Sequence, residues 1–254
     1  LEFFGRTRLQ PVIDSGGVVN AASFQAGAGL AAGSYITIRG RAQSEALRVA
    51  SSASLPLSLA GVSVSFDAPA MRRSLPGRLH FVSETQINVQ IPWEFQGLTS
   101  VDMKVSIGPG INDSSAVVAV PLADYAPALF EYDDAASGRR LIAARDLANN
   151  VVSVANPARR GRPLILFANG VGPVTNRPPT GEPTPVDPLP QTRDLPVVTI
   201  GNRAAEVSFS GLAPFNTALY QINVTVATDT PAGLQPIVIT VNGVSSKTAM
   251  VQVE

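Results

Sequence analysis

Any chemistry this chain performs by acid–base catalysis has to involve His80, its only histidine, in Leu79-His80-Phe81. A Ser-His-Asp mechanism needs a base within reach of a nucleophile and a carboxylate to orient that base. The sequence holds no Gly-x-Ser-x-Gly elbow to present such a nucleophile. A single histidine excludes the multi-histidine zinc sites of hydrolases. The lack of cysteine excludes thiolate metal sites, thiol nucleophiles and disulfides. Glu131, Asp133 and Asp134 cluster near a turn and have the oxygen ligands that calcium takes. The spaced Asp/Asn ladder of a calcium loop is missing, so a solvated turn is expected there. A glycosidase needs two converging carboxylates, and nothing in the sequence singles out a pair. Gly27-Ala28-Gly29-Leu30-Ala31-Ala32 fits a loose dinucleotide fingerprint, but no strand–turn–helix unit surrounds it, and it reads as a loop. The expectation is a chain with no catalytic residue, no cofactor and no metal.

Binding chemistry has more to work with. Trp93, Phe95, Tyr35 and Tyr132 are the aromatics that would form a sugar-stacking platform, with Trp93 the candidate ligand-binding residue. Trp93 would equally serve as a core plug or as a contact between units, since a large ring with one polar edge suits both. Arg159, Arg160 and Arg162 form a cluster that reads as solvated, with an anion contact as the sharper alternative. Nineteen basic and nineteen acidic residues cancel. This balance argues against a nucleic-acid partner held by phosphate neutralisation. Only Lys104 and Lys247 among the basic residues are lysines, a bias that genome composition explains as well as anion recognition does.

One stretch organises the elements that hold these side chains. Gln86-Ile87-Asn88-Val89-Gln90-Ile91-Pro92 returns as Gln221-Ile222-Asn223-Val224-Thr225-Val226. In both, apolar and polar residues alternate strictly, the period of a half-buried antiparallel strand. Val62, Val64 and Phe66 repeat the pattern, as do Val101, Met103, Val105 and Ile107. Asp14 to Gly17 reads as a turn and residues 67–78 as an extended connection. Leu164-Ile165-Leu166-Phe167 is a continuous apolar run, expected to be covered on both faces. Gly172 to Pro196 holds eight prolines and should be a long surface loop. Asn242-Gly243 is the strongest hairpin signal. Asp124-Tyr125-Ala126-Pro127-Ala128 reads as a stiff junction. No apolar period of 3.6 persists long enough for a substantial helix. The expected architecture is all-β: two tandem immunoglobulin-like antiparallel sandwiches, over residues 11–125 and 126–254, after an extension at residues 1–10.

Several phrases, in one order, resemble the Solibacter-type uncharacterised C-terminal domain, a module of predicted secreted acidobacterial proteins. They are Val18-Val19-Asn20-Ala21-Ala22-Ser23-Phe24, Gln86 to Pro92, Ala155-Asn156-Pro157-Ala158-Arg159-Arg160-Gly161, Gly170-Val171-Gly172-Pro173-Val174 and Leu219-Tyr220-Gln221-Ile222-Asn223-Val224. The resemblance spans residues 11 to 254. It implies tandem immunoglobulin-like units in an extracellular or cell-surface setting, and it carries over no site residues.

Two functions follow as expectations. In the first, Leu1, Phe3, Phe4 and Leu9 make an apolar donor segment that adds as a strand to a neighbouring copy. Such a contact does not close on itself and propagates as a filament, giving a structural protein whose partner is itself. In the second, the chain is a module of a larger exported protein that binds polysaccharide or another surface ligand. A first residue of leucine is expected of a processed chain or a fragment. No stretch approaches the ~20 apolar residues of a membrane-spanning helix, and no signal peptide is visible.

Overall fold

A computed structural model describes residues 10–108 and 113–254. The candidate donor residues Leu1, Phe3, Phe4 and Leu9 lie outside the described residues. The regular structure of the described chain is almost wholly antiparallel strand, as the alternating sequence requires, with two single-turn 3-10 segments at Pro69–Met71 and Trp93–Phe95. None of its helices is long and apolar enough to cross a membrane.

The first sandwich begins with β1 (Val12–Asn20), β2 (Tyr35–Arg41) and a short β3 (Arg48–Val49). There follow β4 (Val62–Ala68), β5 (Arg73–Pro76), β6 (Arg78–Val82) and β7 (Gln86–Gln90). It closes with β8 (Ser100–Ile107) and β9 (Val118–Pro121). One sheet runs β1-β2-β7-β6-β3 and the other β5-β4-β8-β9. Apart from the short β3, that is the ABED and C′CFG division of an immunoglobulin fold. Alternation puts Ile36, Ile38, Ile87 and Val89 of one sheet against Val64, Phe66, Met103 and Val105 of the other. Two expectations are corrected here. Residues 67–78 are no bare connection, because β5 pairs with β4 from Ser65↔Pro76 to Ala68↔Arg73. Asp14 to Gly17 does not end a strand. It is an irregularity inside β1, where pairing with β2 shifts register between Ile13 and Val18 around Gly16 at φ +66°.

The second sandwich opens with β10 (Ala128–Leu129), β11 (Glu131–Asp134), β12 (Arg139–Ile142) and β13 (Ala144–Arg145). Then come β14 (Pro163–Asn169), β15 (Val197–Ile200), β16 (Arg203–Leu212) and β17 (Tyr220–Thr225). The last are β18 (Gly233–Val241), β19 (Val244–Ser245) and β20 (Ala249–Val253). Strand β16 serves both layers: Arg203 to Ala205 pair with β15, and Glu206 to Leu212 pair with β17. In the first sandwich the matching path is interrupted at Gly77, between β5 and β6. Asn242-Gly243 does form the hairpin tip, with both residues at positive φ between Val241↔Val244, as a type I′ turn demands. The run Leu164 to Phe167 is buried only at Leu164 and Leu166, while Ile165 and Phe167 stay half-exposed, so that strand is covered on one face.

The two sandwiches repeat each other down to single hydroxyls. Ser115 Oγ accepts the Val105 N–H at 3.0 Å, and Ser246 Oγ accepts the Ile239 N–H at 3.1 Å. Gln86 Nε2 donates to Asn88 Oδ1 and Gln221 Nε2 to Asn223 Oδ1, each at 2.9 Å.

Candidate functional site

The candidate functional surface lies along the seam between the sandwiches, and buried amides build that seam. Asn169, at the end of β14, accepts the Tyr35 N–H at 3.0 Å and donates to the Tyr35 carbonyl at 2.8 Å. Its amide also donates to Asn20 Oδ1 at 3.0 Å, and Asn20 donates to the Ala126 carbonyl at 2.9 Å. A carboxamide carries a donor and an acceptor, so Asn169 can stand in for a neighbouring strand at the edge residue Tyr35. Asn20 and Asn169 are 3% and 0% exposed. In such a setting an unpaired amide is costly, which makes this link specific. Gly170 follows at φ +66°, where an added Cβ would sit 2.3 Å from the Ala126 carbonyl oxygen.

Trp93 completes the joint. It follows β7 in the first sandwich but packs into the core of the second, among Leu129, Val171, Val174 and Leu212. Its N–H donates to Thr180 Oγ1 at 3.0 Å, and its carbonyl accepts from Arg177 at 3.2 Å. At 1% exposure its ring is not presented as a stacking platform. Trp93 takes the interunit contact rather than the ligand, with its indole Nε1 buried and unpaired. Gly33 makes room for it, since a Cβ there would lie 2.0 Å from the ring. Gln90, 1% exposed, accepts the Gly181 N–H at 2.8 Å and donates to the Gly33 carbonyl at 3.0 Å. The proline-rich segment from Gly172 to Pro196 therefore is not a free surface loop: it is strapped to the first sandwich, with Leu55 N–H donating to the Gly181 carbonyl at 2.8 Å.

Beside this joint opens a cleft of about 360 Å³. The first sandwich contributes Tyr35, His80, Asn88 and the Ala50–Leu55 segment; the second contributes Phe130, Phe215, Asn216 and Thr217. The Tyr35 and His80 rings meet at 5.6 Å between centroids, tilted by 58°. Burial holds the Tyr35 hydroxyl protonated and pushes the His80 imidazole below its ordinary value, so both are neutral near pH 7. Asn88 Oδ1 is occupied by Thr37 Oγ1 at 3.0 Å and by Gln86. That fixes the amide and leaves its N–H donors without a hydrogen-bond partner among the described residues. Phe215 is 76% exposed and sits at φ +62°, a left-handed conformation unusual for a bulky side chain. Main-chain bonds hold it: Phe215 N–H to the Thr184 carbonyl, and Thr184 N–H to the Asn216 carbonyl, both at 3.0 Å.

No lining residue of this cleft is Asp, Glu, Lys or Arg. His80 shares it with Ser52, but the Ser52 hydroxyl donates to the Ser54 carbonyl at 2.5 Å. With no carboxylate in the lining to orient the imidazole, a nucleophile–base–acid relay is not assembled. What the cleft offers is ring faces and neutral hydrogen-bonding groups.

The other sequence candidates are engaged elsewhere. Phe95 is fully buried in the first core, and Tyr132 donates to the Val152 carbonyl at 2.7 Å. Glu131 pairs with Arg140 and Lys247, Asp133 with Arg140, and Asp134 accepts from the Ser137 hydroxyl at 2.6 Å. Among the described residues no cluster of His, Cys, Asp and Glu is placed to hold a metal. Arg159 pairs with Glu254 at 2.7 Å, and Arg160 donates to the Glu254 main chain. Of the aromatic candidates the structure brings only Tyr35 to the cleft. Sequence reading missed Phe215 and Asn216; the signal was an aromatic set between turn formers in Ala213-Pro214-Phe215-Asn216.

No family model matches the chain, and no curated protein does. Among solved structures it is similar to SGBP-B of the Bacteroides ovatus mixed-linkage glucan utilization locus, in complex with a mixed-linkage heptasaccharide. There the identity is 10% and the TM-score 0.34, over 89% of this chain and 43% of that one. It is also similar to SGBP-B from a complex xyloglucan utilization locus in Bacteroides uniformis, with 11% identity and a TM-score of 0.28, over 96% of this chain and 49% of that one. The chain spans less than half the length of either. Likeness at this level transfers neither a site nor a ligand.

Proposed function

We propose that this chain is a non-catalytic binding module, working outside the cell or at its surface, that holds a neutral oligosaccharide in the cleft between its sandwiches. The observation that carries the reading is Phe215. An exposed ring held at positive φ costs of order 1–3 kcal/mol of backbone strain, and main-chain bonds to Thr184 keep it at the mouth of an uncharged cleft. Sugar rings present C–H faces to such an aromatic and hydroxyls to amides. Asn88, Asn216 and the neutral His80 supply the polar half. The resemblance to the Solibacter-type domain, with its exported setting, belongs to the same proposal.

The test is calorimetric titration with neutral cello-, manno- and laminari-oligosaccharides. One series is expected to bind, and Phe215→Ala to weaken it about tenfold or more, as loss of an aromatic stacking partner does. If no neutral oligosaccharide binds, or if Phe215→Ala binds as tightly as the parent, the reading fails.

A further inference from the structure

A second depression, of about 880 Å³, lies along the seam and shares no lining residue with the first. Its character is different: Arg73, Arg177 and Arg193 line it together with Glu94, Asp124 and Asp194. Six charged groups in one groove would ordinarily cancel as ion pairs. Here no pair among the described residues joins them, and each carboxylate instead accepts from a neutral donor. Glu94 accepts from the Thr180 hydroxyl at 2.8 Å, Asp124 from the Gly97 N–H at 3.2 Å, and Asp194 from the Tyr125 hydroxyl. That last bond, with burial behind it, pushes Tyr125 up to about 12.

Two of the guanidiniums are held by neutral acceptors in turn. Arg73, from the first sandwich, donates to the Glu94 carbonyl at 2.9 Å, and Arg177, from the second, donates to the neighbouring Trp93 carbonyl at 3.2 Å. Two cations from opposite sides of the seam are thus anchored on consecutive carbonyls of one turn. Each guanidinium has five N–H donors, and none of these three arginines forms an ion pair among the described residues. All three are planar and unpaired, and Arg73 and Arg177 are held in place as well, which suits the groove to a carboxylate.

We infer that this groove binds a carboxylated sugar, a uronic-acid unit of an acidic polysaccharide. The three guanidiniums take its carboxylate. The carboxylates of Glu94, Asp124 and Asp194 have acceptor capacity beyond their one neutral donor each, and they take its hydroxyls. A polyacidic peptide fits less well, since its side chains bring acceptors alone to a groove that also holds three anions. This site does not depend on the cleft at Phe215.

Calorimetry with tetragalacturonate, its fully methyl-esterified form and tetra-aspartate tests the assignment. Tetragalacturonate is expected to bind, the ester and the peptide to bind at least about tenfold more weakly, and Arg177→Gln or Arg193→Gln to lose about tenfold, the contribution of one charge-assisted hydrogen bond. Arg193 donates no side-chain bond to the joint among the described residues, so its variant keeps the test valid if Arg177→Gln unfolds. The Phe215→Ala variant should bind tetragalacturonate as the parent does. Equal binding of acid and ester, equal binding of tetra-aspartate, unchanged affinity in both arginine variants, or no binding of tetragalacturonate would each overturn the inference.

Discussion

Strands β7 and β17 share the run Gln-Ile-Asn-Val and end in different worlds. In both, Gln and Asn side chains clasp each other on the polar face while Ile and Val enter a core. In β17 the chain then continues through Thr225 and Val226 to the exposed Thr228 and Asp229. In β7 the matching positions are Gln90 and Trp93, both buried, and both spent on the other sandwich. The shared residues build a sandwich and the divergent ones build a joint. Asn88 lines a cleft with Phe215 and Asn216 only because the joint brings them across from it.

The comparison breaks most visibly at its largest divergence. Trp93→Ala is expected to cost ~3–5 kcal/mol, as truncation of a buried aromatic does, whereas Thr228→Ala at the matching place should change stability by less than about 0.5 kcal/mol. Chemical denaturation of both variants checks this, and equal losses would show that the joint contributes no more than an exposed surface. Next comes Gln90→Ala, which strands the Gly181 N–H and the Gly33 carbonyl. A loss of roughly 2–4 kcal/mol is expected, since each buried orphan costs ~1–3 kcal/mol, against a few tenths for Thr225→Ala.

A third change should run in the opposite direction. Phe215→Gly relieves the left-handed backbone and removes a ring that buries little, so stability should stay level or rise by up to about 1 kcal/mol while oligosaccharide binding is lost. A variant that is both destabilised and fully binding would dissolve the link between strain and site. The smallest effect is on pH. Burial depresses the His80 pKa, so the unfolded chain takes up the proton first. His80 therefore contributes stability that is complete above the ordinary imidazole value of about 6.5 and is lost as pH falls through its folded value. Denaturation midpoints measured near pH 7 and near pH 5 should converge in His80→Gln and differ more in the parent.

Much of the scaffold was legible because it rests on local rules. Alternation at Val62-Val64-Phe66 and Val101 to Ile107 reports which face is buried, and Asn242-Gly243 reports a turn, whatever the rest of the chain does. The seam was legible only in part. Asp124 to Ala128 read as a stiff connection and Trp93 as a residue with two uses, but no local rule pairs Asn20 with Asn169 or lays Gly181 on Gln90. Those contacts depend on how the sandwiches meet, and a polar residue inside an alternating strand looks the same whether it faces water or a partner. Both grooves inherit that limit, since Tyr35, His80 and Phe215, or Arg73, Arg177 and Arg193, are gathered from distant positions by the meeting itself.

The Asn20–Asn169 pair has one more consequence. Asn169 bonds Asn20 and Tyr35 directly, and Trp93 and the strapped segment add further bonds across the seam, so the halves are also joined away from the Asp124 to Pro127 connection, which itself accepts from Asn20 at the Ala126 carbonyl. A protease that severed it would release nothing: the fragments would travel together through a sizing column and part only in denaturant.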